Sequence, residues 1–243
     1  MSDAILSARG LVKRYGDKVA VRGIDIEVRS AEVVGLLGPN GAGKTTTFNM
    51  MAGSVRPSEG EVFLGDEDIS ELPMYRRARR GITYLPQEAS IFRKLTVADN
   101  IGAILETVEP NRARRKERLA ELLSELGLTE KASRKGADLS GGERRRVEIT
   151  RALVLDPQFM MLDEPFAGVD PIAVIDIQKI IEQLKARGIG VIITDHSVRE
   201  TLSICDRAYI IKDGTILRLG TPAEIAEDPE VREVYLGKNF SLN

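Results

Sequence analysis

The eight residues GPNGAGKT at positions 38–45 constrain this chain more than any other stretch. They follow the apolar run VVGLL and precede KTTTFNMMAG, so the segment reads as strand, glycine-rich turn and helix, the context that gives such a match meaning. Glycines let a backbone turn successive N–H groups toward an anion, and a helix N-terminus adds favourable partial charge. Gly38, Pro39, Asn40, Gly41, Ala42 and Gly43 therefore form a candidate phosphate cradle. Lys44 is placed to reach the β- and γ-phosphates of a nucleotide, Thr45 to offer its hydroxyl to Mg2+, and Thr46 to donate to the α-phosphate.

A phosphate loop performs no hydrolysis by itself, since an attacking water must be oriented and charge must be neutralised. QFMMLDE, residues 158–164, supplies an apolar strand ending in two carboxylates. In a parallel sheet the carboxyl ends of strands are where ligands bind. Asp163 is expected to hold the Mg2+ shell, and Glu164, one residue on and pointing elsewhere, to polarise water.

Around these motifs the chain changes texture twice. Alternating runs at 5–16 and 18–28 and the segments GEVFLGDEDI and GITYLP predict strands in the first third. From 97 onward, VADNIGAILETV, RARRKERLAELLSELG and GERRRVEITRALVLD carry helical spacing, broken by Pro110 and by KASRKGADLSGG. The α/β rhythm returns after Gln158, with helices at 171–188 and 197–205 and a strand at 190–195. A hairpin is expected at 206–220, turned by Asp213 and Gly214, and a helix after Thr221 and Pro222, with Glu224 completing a capping box. A helical insertion at roughly 90–150 inside an α/β core follows.

LSGGE, residues 139–143, identifies the pattern where composition cannot. Together with the motifs above, and over essentially all 243 residues, the chain resembles the ATP-binding subunits of ABC transporters. The resemblance implies a P-loop NTPase core at 1–89 and 151–243 with an antiparallel β subdomain, and an inserted helical subdomain at 90–150. It further implies a head-to-tail homodimer in which Ser140, Gly141 and Gly142 of one subunit contact the γ-phosphate of ATP held by the other. By the same resemblance Tyr15 stacks on adenine, Gln87 joins the Mg2+ and water region to the helical lobe, and Asp170 in AGVDP crosses the dimer interface. His196, the sole histidine, contacts the γ-phosphate and helps hold the catalytic water and Glu164. Phe92 and Arg93 lie beside a groove that accepts a short helix from a membrane subunit.

Within that family, YLPQEASIFRKLTVADNI, DHSVRETLSICDRAYIIKDG and the closing DPEVREVYLGKNF look like the ATPase of the bacterial lipopolysaccharide export machine. The ATPases of branched-chain amino acid importers share much of the same pattern and stand as the alternative. The export reading implies two membrane subunits as partners, with the transported lipid not contacted directly; the importer alternative implies an amino-acid permease with a binding protein.

The remaining features fit an ATPase that borrows its membrane attachment. Thirty-five basic residues nearly balance thirty-seven acidic ones, a net charge of -2 that argues against a chain held to nucleic acid by one positive field. The single cysteine, Cys205, makes no internal disulfide. MSDAILSARG lacks the features of a secretory signal, and no apolar run approaches the roughly 18 residues of a membrane span, so a cytoplasmic location is expected. RRARR at 76–80 reads as a solvated face. The leucines of RARRKERLAELLSEL are expected to pack the helical lobe, and the pairs Met50, Met51 and Met160, Met161 to fill the core.

Overall fold

The computed structural model describes residues 4–237 and 240–242. The opening Met1–Asp3 and, from the closing motif, Lys238, Asn239 and Asn243 lie outside the described residues.

Two long strands, β1 (Ile5–Tyr15) and β2 (Lys18–Arg29), pair antiparallel and are followed by the short central strand β3 (Val33–Leu37), every residue of which is buried. The phosphate loop then enters α1 (Lys44–Ala52). Next come β4 (Glu59–Leu64), β5 (Glu67–Asp68), α2 (Met74–Ala78) and β6 (Ile82–Leu85). Helices α3 (Val97–Val108), α4 (Arg112–Glu125) and α5 (Gly141–Leu153) occupy the interval before β7 (Phe159–Asp163). The chain continues through α6 (Pro171–Ala186), β8 (Gly190–Thr194), α7 (Val198–Leu202), β9 (Arg207–Lys212) and β10 (Thr215–Gly220). It closes with α8 (Pro222–Glu227), α9 (Pro229–Val231) and a π-helical turn at Arg232–Leu236.

The strands form two sheets, a four-stranded one of order β2-β1-β4-β5 and a six-stranded one of order β10-β9-β3-β8-β7-β6. In the second, β9-β3-β8-β7-β6 run parallel and β10 joins as an antiparallel edge. β3, β7 and β8 therefore deliver the phosphate loop, Asp163 and the approach to His196 at the same sheet edge, where α/β folds bind ligands.

Three apolar clusters hold this arrangement. One lies between the antiparallel sheet, α1 and the central strands, and includes Met50, Met51 and Met161, all fully buried. A second joins α3, α4, α5 and α6 to the other face, with Leu122, Leu123 and Met160 inside it. The third is smaller and seats the carboxy-terminal segment against Leu37 and Leu202.

Local chemistry sets the element ends as the sequence predicts at two places. Asp213 and Gly214 both have positive φ, 50° and 80°, the signature of a type I′ hairpin turn between β9 and β10. Thr221 and Glu224 exchange hydrogen bonds in a complete capping box.

The RRARR stretch departs from its sequence reading. Arg77, expected on a solvated face, is 1% exposed. Its guanidinium donates to the carbonyls of Met50, Met51, Ser70 and Leu72 at 2.6–2.9 Å. It thereby caps the C-terminal turn of α1 with a positive charge where the helix dipole favours one. Burial lowers its pKa to about 10 against the pull of Asp68, so it stays charged at neutral pH.

Candidate active site

Gly38, Gly41 and Gly43 carry φ of 145°, 78° and 107°, which turns the loop back on itself ahead of α1. At Gly38 a Cβ would lie 2.0 Å from the Ile211 carbonyl oxygen, so no side chain fits between the loop and β9. Lys44 is buried, and its Nζ donates to the carbonyls of Gly38 at 2.6 Å and Pro39 at 3.0 Å. Burial lowers the Lys44 pKa, while the nearby Glu164 carboxylate raises it. The loop thus encloses a cation rather than an apolar plug.

A cavity of about 530 Å3 opens over this loop, lined by Tyr15, Asn40 to Thr46, Gln87, Glu164 and His196 among others. Tyr15, half exposed at the end of β1, presents its ring at the rim. Opposite it, Glu164 is held from two sides. The Gln87 amide donates to Oε2 at 2.6 Å, and His196 Nε2 lies 2.8 Å from Oε1. Glu164 has a positive φ of 46°, an uncommon conformation for glutamate, fixed by its N–H donating to the Thr194 carbonyl at 2.7 Å. Three separate segments, after β6, β7 and β8, so converge on one carboxylate.

Asp163 sits deeper, 5% exposed, and does not line the cavity. Its carboxylate accepts from the Tyr84 hydroxyl at 3.1 Å and Thr194 Oγ1 at 3.3 Å. Burial, then the Asp163 charge, pushes the Tyr84 phenol far above its usual range, so it remains a donor. By residue chemistry alone, Asp163 would offer one carboxylate and Thr45 and Gln87 neutral oxygens. That set suits Mg2+, which takes few protein ligands and completes its shell with phosphate and water. Among the described residues no cluster of three acidic, histidine or cysteine side chains forms a self-sufficient metal site.

The structure does not bring Ser140, Gly141, Gly142 or Asp170 into this cavity. Ser140 caps α5 in a capping box with Glu143, whose carboxyl is lowered to about 2 by its bonds to Lys131 and the Ser140 amide. Asp170 caps α6 by accepting from the Ala173 N–H at 3.0 Å. These two helix starts touch, because a Cβ on Gly142 would lie 2.5 Å from that of Ala173. Phe92 is 46% exposed, with the Arg151 guanidinium 4.5 Å from its ring centre, and Arg93 is exposed beside it.

Several supporting residues escape sequence reasoning. Arg145, almost fully buried, donates to the carbonyls of Pro86 and Asp163, both at 2.8 Å, tying α5 to the ends of β6 and β7. Glu148 accepts from the amides of Ser90 and Ile91, and Asn100 bonds the Phe92 backbone in both directions. Asp195 accepts from the amides of Phe166 and Ser197, fixing the turns beside Glu164 and His196. Its place next to the lone histidine was the one available signal. Arg145 and Glu148 offered only i,i+3 spacing in a charged helix.

A family model described as "ABC transporter" matches residues 21–167. This chain belongs to the ABC transporter ATP-binding family. A second model, "Branched-chain amino acid ATP-binding cassette transporter", matches residues 219–241 of the cassette. The lipopolysaccharide export system ATP-binding protein LptB of Acidithiobacillus ferridurans is 58% identical over 98% of this chain and 99% of its own. LptB of Escherichia coli K12 is 54% identical over 98% and 100%. Among solved structures, MJ1267, an ATP-binding cassette of an ABC transporter, superposes with a TM-score of 0.87 at 30% identity, covering 98% of this cassette and 100% of that chain. The P-loop NTPase fold with its antiparallel sheet and inserted helices is thereby the cassette fold. No helix among the described residues is long and apolar enough to cross a membrane.

Proposed function

We propose that this cassette hydrolyses ATP to power extraction and export of lipopolysaccharide, working as a head-to-tail homodimer on two membrane subunits at the cytoplasmic face of a bacterial inner membrane. The observation that carries the ATPase chemistry is the placement of Glu164 at the mouth of the phosphate-loop cavity, bracketed by Gln87 and His196. Near full-length identity to two LptB proteins supports export over branched-chain amino acid import, whose family model matches only the closing segment.

In this reading the loop amides of residues 38–46 and Lys44 hold the phosphates, and Tyr15 stacks on the base. Thr45, Asp163 and Gln87 would hold Mg2+, which neutralises charge on the phosphate oxygens when bound. Glu164 accepts the proton of the attacking water as its oxygen bonds to the γ-phosphorus and ADP departs. His196 keeps that carboxylate and the γ-phosphate aligned. Ser140, Gly141 and Gly142 reach the ATP of the partner subunit, and Asp170 crosses the interface, consistent with their absence from their own cavity.

Residues 90–150 form the helical lobe that meets the membrane subunits. Phe92 and Arg93 stand at its exposed edge, and Arg151 links Phe92 to a groove of about 260 Å3 lined by Met74, Tyr75, Ile104 and Leu155. An aromatic ring beside a guanidinium is a common interface anchor.

The test is Glu164→Gln, which keeps shape and hydrogen bonding but removes the base. Turnover is expected to fall roughly 100-fold or more, with ATP binding intact and an ATP-dependent dimer accumulating on size exclusion. His196→Ala is expected to lower turnover as well, through lost alignment. Unchanged turnover in Glu164→Gln, with no gain of dimer, rejects the role.

A further inference from the structure

The carboxy-terminal segment has no part in the scheme above, yet it ends against the back of the active site. Tyr235, in the π-helical turn, packs against the cluster containing Leu37, the last residue of β3, and Leu202 of α7. Its hydroxyl oxygen is buried and closes no well-formed hydrogen bond among the described residues. Burial foremost, with the Asp195 charge, raises the phenol to about 12, while a long hydrogen bond from the Gly38 backbone pulls it down.

A buried hydroxyl without a well-formed bond is uncommon and calls for a physical reason. The other two tyrosines set into the core have one: Tyr84 donates to Asp163, and Tyr209 accepts from Arg207 and the Glu27 amide. A phenylalanine would fill the same apolar space around Tyr235 without desolvating an oxygen. Asp195 already accepts from two amides, at 2.8 and 2.7 Å. Gly38 is different. It is the corner where β3 becomes the phosphate loop, and its carbonyl is the 2.6 Å acceptor of Lys44 Nζ. On one side β9 allows it no side chain, and Tyr235 stands near it from the carboxy-terminal segment. A phenol oxygen can accept from the Gly38 N–H, so a small closing movement of the corner completes that bond.

We propose that Tyr235 is a positioning residue for the phosphate loop, its hydroxyl engaging the Gly38 backbone so that the carboxy-terminal segment sets the affinity of Lys44 and the loop for nucleotide. The proposal rests on the reading of residues 38–46 as an ATP site. It gives the segment at 219–241 a role in nucleotide binding within its own subunit.

The experiment compares wild type, Tyr235→Phe and Lys44→Ala as full-length chains. Affinity for a fluorescent ATP analogue, KM and kcat for hydrolysis, and the thermal midpoint are measured for each. Tyr235→Phe is expected to weaken analogue binding and raise KM by about 3- to 10-fold, the scale of one buried hydrogen bond. Its kcat stays within about twofold and its Tm is equal to or above wild type. Unchanged affinity, whatever happens to Tm, overturns the proposal and leaves Tyr235 a packing residue. A fall in kcat at constant affinity also overturns it, because the hydroxyl then acts through Asp195 and His196. Wild type that binds no better than Lys44→Ala sinks the ATP-site reading, and this proposal with it.

Discussion

Replacing Arg77 by methionine removes four donated hydrogen bonds from the seam between α1, α2 and the loop that precedes α2. Methionine fills much of the stem's volume, so cavity formation contributes little. The Met50 carbonyl keeps a second donor, the Gly53 N–H at 3.3 Å. The carbonyls of Met51, Ser70 and Leu72 show no second donor among the described residues. Each buried acceptor left without a partner costs about 1–3 kcal/mol, and repacking recovers part of that, so a net loss of roughly 3–5 kcal/mol is expected. For a chain of this size the Tm falls roughly 2–4 °C per kcal/mol, which places Arg77→Met about 6–20 °C below wild type by calorimetry. Arg76→Met, one residue away and exposed, is the control and should stay within about 0.5 kcal/mol. Equal midpoints for the two variants would refute the assignment of Arg77 as a cap on α1.

Glu143 carries a pH signature: its carboxyl is lowered from 4.5 to about 2, so its contribution to folding is fully present above pH 4.5 and disappears as pH falls toward 2. Glu143→Gln should therefore cost about 1 kcal/mol at neutral pH by urea melts once solvent screening of its exposed partners is counted, with the two proteins converging near pH 2; a constant gap down to that pH would contradict the linkage. Phe92→Ala should weaken co-purification with the membrane subunits and abolish lipopolysaccharide release from reconstituted vesicles while leaving isolated ATPase activity and Tm nearly unchanged. If it unfolds or loses isolated activity in step with transport, Phe92 belongs to the core.

What could be read in advance was whatever depends on local spacing. GPNGAGKT, the carboxylate pair after FMMLD, the Asp213–Gly214 turn and the Thr221 capping box are each complete within about eight residues, and their backbone requirements are written in their residue types. Arg77 was misread because its role lies in carbonyls 5 to 27 positions away along the chain, which no local pattern reveals. Arg145 and Glu148 look like any helical charge pair until β6 and β7 are placed beside them. Nor does the run REVYL announce that Tyr235 ends beside Gly38, since that proximity exists only after β9, α8 and the closing turn have packed.

Arg145 also ties distant parts of the cassette into one linkage. One guanidinium fastens α5 to the ends of two adjacent parallel strands, Glu148 fastens the same helix to the chain just before Phe92, and Ser140 and Gly142 stand at its leading end. In kinematic terms α5 is a crank pinned at several points along its length. A chain of hydrogen bonds therefore runs from the Phe92 edge through α5 to Pro86, one residue from Gln87, and to Asp163, one residue from Glu164.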